Sequence, residues 1–283
     1  MRRANFFDSA TAKIILINVV VYVLFIVGSL FVGLDRMLSY FALQPESIIH
    51  GEKLWTLITS MFIHVQVWHL FVNMFSLFFV GRFVEKIIGK KRFSVFYVLS
   101  GIFAGLFWAF LSGYFAVTPM LSSVLGSPTI WGIGASGAIF GLVGILAVLA
   151  PRAKVFLIAG PLIVILLETL LVAVFNKKGI ADVAPYSSLL SLLSIGVMIY
   201  FAVAIFSMMS FDAKTRRIGL PLEMSMWVLP IVAIVPLVII SIFVDLPIGN
   251  MAHLGGLIAG LIYASILKKK YPRRSRMISR MFK

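Results

Sequence analysis

From Ile14 to Leu34 the chain carries no charged side chain. A run of that length folds as one helix able to cross a bilayer core, which takes about 20 apolar residues. Further apolar runs of similar length follow, broken by short basic clusters. Hydrophobic residues make up 61% of the 283 residues and charged ones 12%, against about 45–50% and about 25% in soluble domains. A transmembrane strand barrel would instead alternate over short segments. The expected class is an all-α polytopic membrane protein, folded as a single helical domain in a lipid bilayer, with the cell membrane as its expected location.

The runs place spans at about 13–32, 67–88, 93–115, 132–150, 155–175, 186–209, 226–244 and 250–267. Residues 34–67 are too interrupted for a clean span and read as an interfacial segment anchored by Trp55. The first span is too long for a signal-peptide core and is expected to be retained. With residues 1–12 inside, the clusters at Lys90–Arg92, Arg152/Lys154 and Lys214–Arg217 and the tail 268–283 all fall on inner connections. The outer connections are nearly bare, apart from Arg36, Lys53 and Lys177/Lys178. That asymmetry follows the positive-inside rule. It predicts about eight transmembrane helices with both termini cytoplasmic.

The net charge of +15 therefore reads as membrane flanks, not as a nucleic-acid surface. The chain has no cysteine, which excludes disulfides, thiol catalysis and cysteine-bound metal. His64, His69 and His253 are too scattered for a zinc signature, and no His-Glu-x-x-His occurs. No metal and no cofactor are expected.

Polar groups inside spans are costly and usually functional. His69 and Asn73 are four residues apart, on one helix face. Ser136 stands in Gly134-Ala-Ser-Gly137, where a span begins. His253 lies one turn into the last span, beside Gly256 and Gly260. In the expected topology all four residues sit at similar depth, toward the outer face. A serine needs a base to take its proton, and histidine is the usual one. Acyl transfer also needs oxyanion donors, which histidine, asparagine and a backbone amide can supply. No carboxylate has an evident place beside His253, since Asp245 reads as a solvated turn residue. A serine–histidine dyad is sufficient. For Gly137 and Gly141 the alternative is a helix-packing seam with serine as small filler.

At these residues the sequence resembles the rhomboid family of intramembrane serine proteases. The family pattern of His-x-x-x-Asn, Gly-x-Ser-Gly and Ala-His-x-x-Gly appears as His69–Asn73, Gly134–Gly137 and Ala252–Gly256, in order. His64 and Gly81-Arg-Phe-Val-Glu85 also fit. The resemblance covers about residues 50–150 and 226–267. It implies Ser136 as nucleophile and His253 as general base. His69, Asn73 and the Ser136 amide would form the oxyanion hole, and Phe140 would pack on the histidine. Gly256 and Gly260 would bring the last helix close to the serine helix. Many members carry Trp-Arg in the first outer loop, where this chain has Trp55-Thr56. The commonest bacterial core has six spans, so residues 155–209, with Glu168, read as an inserted helix pair.

The implied activity is an endopeptidase acting on transmembrane protein substrates. Two other readings stand beside it. One is a catalytically silent rhomboid-like protein that binds membrane clients. Such proteins lack the serine or the histidine, and both are present here. The other is a transporter, which would place polar residues at midplane and repeat its halves. No repeat is evident.

Overall fold

The computed structural model describes residues 8–158, 195–196, 199–200, 202–204, 206–207, 221–242 and 249–281. The chain divides into two compact units, Met1–Ala153 with Met226–Lys283, and Lys154–Ser225. The Met226 amide donates to the Ala153 carbonyl at 2.9 Å, so the chain leaves and re-enters the first unit at one point.

The first unit opens with α1 (Ala10–Val32). Ser9 caps it by accepting from the Ala12 amide at 3.1 Å, and Gly33 ends it at φ 88°. Two more of its free amides are taken from a distant helix. Glu85 accepts from the Ala10 amide at 2.8 Å, the Thr11 amide at 2.9 Å and the Thr11 hydroxyl at 2.6 Å. A carboxylate at a helix N-terminus satisfies orphan donors and meets the positive end of the helix dipole.

Residues 34–66 contain the short helices α2 (Leu34–Phe41), α3 (Pro45–Ile49) and α4 (Thr56–Thr59). Side chains fold this segment back on itself. The Trp55 indole donates to the Tyr40 carbonyl, and the Thr59 hydroxyl to the Phe41 carbonyl, both at 2.8 Å. Trp55 is 53% exposed, as an interfacial anchor should be.

Next come α5 (Val67–Ile88) and α6 (Lys90–Phe115), separated by Gly89 at φ 86°. A wider, π-type turn interrupts α5 at Leu77–Gly81. The loop expected at 116–131 contains a helix of its own, α7 (Pro119–Leu125), capped by Thr118. It is tied to α6 by the Trp108 indole, donating to the Leu125 carbonyl at 3.0 Å, and by Ser112, donating to Gly126 at 2.6 Å. The unit closes with α8 (Ser136–Leu149), α9 (Leu229–Ser241), α10 (Asn250–Lys270) and α11 (Pro272–Arg280).

Helices α1, α5, α6 and α10 are long and apolar enough to cross a membrane, while α8 and α9 are shorter apolar helices. The expected span at 132–150 begins only at Ser136, because Leu43 and Gly132 pair as a β-bridge that keeps the preceding chain extended. The expected span at 226–244 contains two prolines, and they differ in role. Pro230 sits in the first turn of α9, where its missing amide has no helical partner to lose, and Pro236 alone lies inside the helix.

The second unit corrects the reading of its first residues. Lys154–Ile158 is a strand, β1, and not the opening of a span. It pairs antiparallel with β2 (Pro221–Ser225) in a two-stranded sheet, and a Lys154–Glu223 ion pair at 3.2 Å joins the strands. A short apolar run does not by itself distinguish strand from helix; here the decision came from a partner strand 63 residues on, in the Lys154↔Ser225 to Ile158↔Pro221 register. Most of the expected pair at 155–209 lies outside the described residues, as do Glu168 and Asp245.

Candidate active site

The site is built at the start of α8. Leu43 and Gly132 exchange amide-to-carbonyl bonds at 3.0 and 2.7 Å, and the Gly134 amide donates to the Ser60 carbonyl at 2.8 Å. Two points of the 34–66 segment thus hold the chain extended up to Gly134. There the backbone turns at φ 110°, where an L side chain is strained. A Cβ would also fall 2.7 Å from both Cε1 and Nε2 of His69, and 3.6 Å from Nδ2 of Asn73. Glycine therefore lets the backbone leading into Ser136 pass against the two polar side chains of α5.

Ser136 is the first residue of α8. Amides of the first helical turn have no intrahelical acceptor and point out of the helix end. The Ser136 hydroxyl lies 2.8 Å from Nε2 of His253, a residue 117 positions away. With the imidazole proton on Nδ1, Nε2 accepts from the hydroxyl. Nδ1 of His253 is buried and engages no described group. Among the described residues no third group therefore joins the Ser136–His253 pair.

The contact exists because α8 and α10 meet backbone to backbone. A Cβ on Gly256 would overlap the Gly137 carbonyl, and one on Gly260 the Gly141 carbonyl. On its other side α8 meets α6, where a Cβ on Gly137 would fall 2.9 Å from that of Ala104, and one on Gly141 2.8 Å from that of Ser100. Glycines on both faces wedge α8 between its neighbours, and this separation sets the Ser136–His253 distance.

The remaining expected residues gather around this pair. The Phe140 ring stacks on the His253 imidazole with centroids 4.4 Å apart. Asn73 is buried and donates from Nδ2 to the His69 carbonyl at 3.0 Å. That bond uses one of its two amide hydrogens. His64 is fully buried, edge-on to His69 with centroids 4.9 Å apart. Burial, together with the nearby His69, lowers the His64 pKa to about 3, so its ring is a neutral wedge behind His69. Thus Ser136, His253, His69, Asn73, Phe140, His64, Gly134, Gly137 and Gly256 all lie in one site.

Sequence reasoning overlooked Ser60 and Leu43, whose backbone groups hold the approach to Gly134. It also overlooked Trp108, against which a Cβ on Gly126 or Gly132 would collide. Backbone anchors leave little trace in residue identity. The small and polar Thr59 and Ser60 inside an apolar stretch are the one visible signal.

The arrangement has counterparts in known proteins. The family model described as Rhomboid domain matches residues 51–202 and 193–270. The chain is 35% identical over 103 residues to RHOMBOID-like protein 1 of Arabidopsis thaliana, covering 36% of this chain and 23% of that one. Against Inactive RHOMBOID-like protein 8 of the same plant it is 34% identical over 112 residues, 40% of this chain and 27% of the relative. Against Rhomboid protease GluP of Bacillus subtilis (strain 168) the figures are 32% over 118 residues, 41% and 20%. The matches thus span less than a third of each of these relatives' own length. Because the family model matches well over half of the sequence and these relatives are similar to it, the chain belongs to the rhomboid family.

Proposed function

We propose that the protein is an intramembrane serine endopeptidase that cleaves membrane-protein substrates within or next to their transmembrane segments. The observation that carries the reading is the 2.8 Å contact between the Ser136 hydroxyl and His253 Nε2 at the open end of a helix. His253 takes the hydroxyl proton as Ser136 Oγ attacks the scissile carbonyl carbon. Negative charge then develops on the carbonyl oxygen. In this reading His69, the second Asn73 amide hydrogen and the Ser136 amide receive it. His253 returns its proton to the leaving amine as the C–N bond breaks, leaving an acyl ester on Ser136. A water molecule, deprotonated by the same histidine, releases the acid and restores the hydroxyl.

The substrate class follows from the surroundings. Among the described residues, the apolar helices α1, α5, α6, α9 and α10 expose large hydrophobic side chains, for example Leu24, Phe79, Phe110, Ile239 and Ile262, as lipid-facing surfaces do, whereas α8 is packed between its neighbours. A segment reaching Ser136 from lipid is itself apolar. In this reading residues 1–12 and the tail 268–283 are cytoplasmic, and 155–209 is an insertion into a six-helix core.

A silent client-binding protein is the second reading, since one similar protein is named inactive. The intact serine–histidine pair favours the protease. A fluorophosphonate probe should label the wild type and neither Ser136→Ala nor His253→Ala, and the wild type should cleave a single-span substrate in detergent. Equal labelling of wild type and Ser136→Ala, or no cleavage by a protein that labels, would leave the silent reading standing.

A further inference from the structure

Beyond the protease site, the far end of α10 carries a surface that catalysis does not use. From His253 to Lys268, Lys269 and Lys270 α10 rises about 23–26 Å at 1.5 Å per residue, so these lysines lie at the opposite end of the helix, most of a bilayer core away from His253. Every charged side chain from Lys268 to Lys283 is basic. After Pro272 the chain turns into α11, whose position is fixed by several contacts. Ser275 and Ile278 are buried, Arg274 donates to the Ile87 carbonyl at 2.8 Å, and the Arg92 guanidinium lies over the Tyr271 ring at 5.5 Å. These partners are the last turn of α5 and the first turn of α6. α11 is thus pinned where three apolar helices end among basic residues.

One face of α11 is used by this docking, and the opposite face is open. Arg273, Arg276, Met277, Arg280 and Met281 recur at the spacing that keeps residues on one side of a helix. Together they line an open groove of about 490 Å³. Met277 is 60% exposed and Met281 72%. Among the described residues no hydrogen bond or ion pair engages these three guanidiniums. Water alone gives no reason to set two flexible thioethers between arginines on the outer face of an anchored helix. A membrane interface gives one: arginines meet lipid phosphates, and the methionines enter the acyl boundary between them.

We infer that the Arg273/Arg276/Met277/Arg280/Met281 face of α11 binds the headgroups of anionic phospholipids in the leaflet at that end of the helices. Guanidinium forks match phosphate oxygens bidentately. The lipid is selected by net negative charge, so phosphatidylglycerol binds and phosphatidylcholine does not. Losing three interfacial arginines lowers affinity by on the order of 100-fold.

The test uses the full chain in neutral detergent, with phosphatidylglycerol or phosphatidylcholine titrated and bound lipid counted by native mass spectrometry. Wild type should bind phosphatidylglycerol selectively. Arg273→Gln/Arg276→Gln/Arg280→Gln should bind it roughly 100-fold more weakly while labelling with the fluorophosphonate probe like wild type. Equal binding of the two lipids, or unchanged binding by the triple variant, refutes the inference. So does displacement of the lipid by millimolar inorganic phosphate, which would mark a site for a free anion. A second measurement places a solvent-sensitive fluorophore on Met277→Cys, the sole thiol in the chain. Its emission should shift to the blue in nanodiscs containing phosphatidylglycerol, relative to pure phosphatidylcholine. A label that stays in water in both discs also refutes the inference and leaves this face to a soluble partner.

Discussion

The Phe140 ring lies nearly parallel to the His253 imidazole, 18° between planes and 4.4 Å between centroids. One turn after Ser136 on the same helix, it forms a wall against which the histidine rests. If His253 is the base, Phe140 limits the ring's freedom to rotate away from the hydroxyl. Stacked ring pairs contribute about 0.5–1.5 kcal/mol. Phe140→Leu should therefore lower kcat roughly 2- to 10-fold and leave KM nearly unchanged. An unaltered kcat in a correctly folded variant would mean that packing elsewhere positions the histidine.

Asn73 and His69 reach the same space from α5 and are proposed to act only as charge develops. Losing one oxyanion donor typically costs roughly 100- to 1000-fold in turnover. Asn73→Ala and His69→Ala should each retain measurable cleavage with little change in substrate affinity, whereas His253→Ala should fall to background. Turnover and apparent affinity measured side by side in one detergent decide this. Loss of binding in Asn73→Ala, in place of turnover, contradicts the assignment.

The glycine contacts make a structural prediction that is separable from chemistry. In Gly256→Ala the new methyl meets the Gly137 carbonyl, which is backbone and cannot swing aside. Overpacking of this kind costs about 1–3 kcal/mol. The helices must part, carrying His253 away from Ser136. Gly256→Ala should lose both heat resistance in detergent and probe labelling. Gly249→Ala, whose Cβ among the described residues meets Ala252 alone, at 3.7 Å, should keep both. Similar behaviour of the two variants would show that the close approach does not govern the site.

Glu85 holds the start of α1 through two backbone amides and a hydroxyl. Glu85→Ala leaves these donors to find water, at a cost of about 2–3 kcal/mol. Glu85→Gln, which keeps an acceptor oxygen, should lose less. Heat-inactivation midpoints in detergent should rank wild type, Gln, Ala in descending order. Identical midpoints for wild type and Ala would remove Glu85 from the fold's supports.

The sequence alone determined the class, because bilayer thickness converts directly into run length and each long apolar run has few other fates. The interval from Val67 to Ile88 was legible to the residue. The polar residues were legible too, since lipid makes His69, Asn73, Ser136 and His253 conspicuous. Only the tertiary structure decided their meeting, because a 2.8 Å contact across 117 residues depends on how two helices pack. It also merged two readings that looked exclusive in the sequence. The Gly137/Gly141 seam and the serine site are one arrangement, since backbone contact between α8 and α10 is what brings hydroxyl and imidazole together. The strand at Lys154–Ile158 was not legible, because a strand's backbone groups are satisfied by a partner distant in sequence. Nor was the cap that Glu85 places on α1, because the residue that satisfies a helix end can come from anywhere the fold puts it.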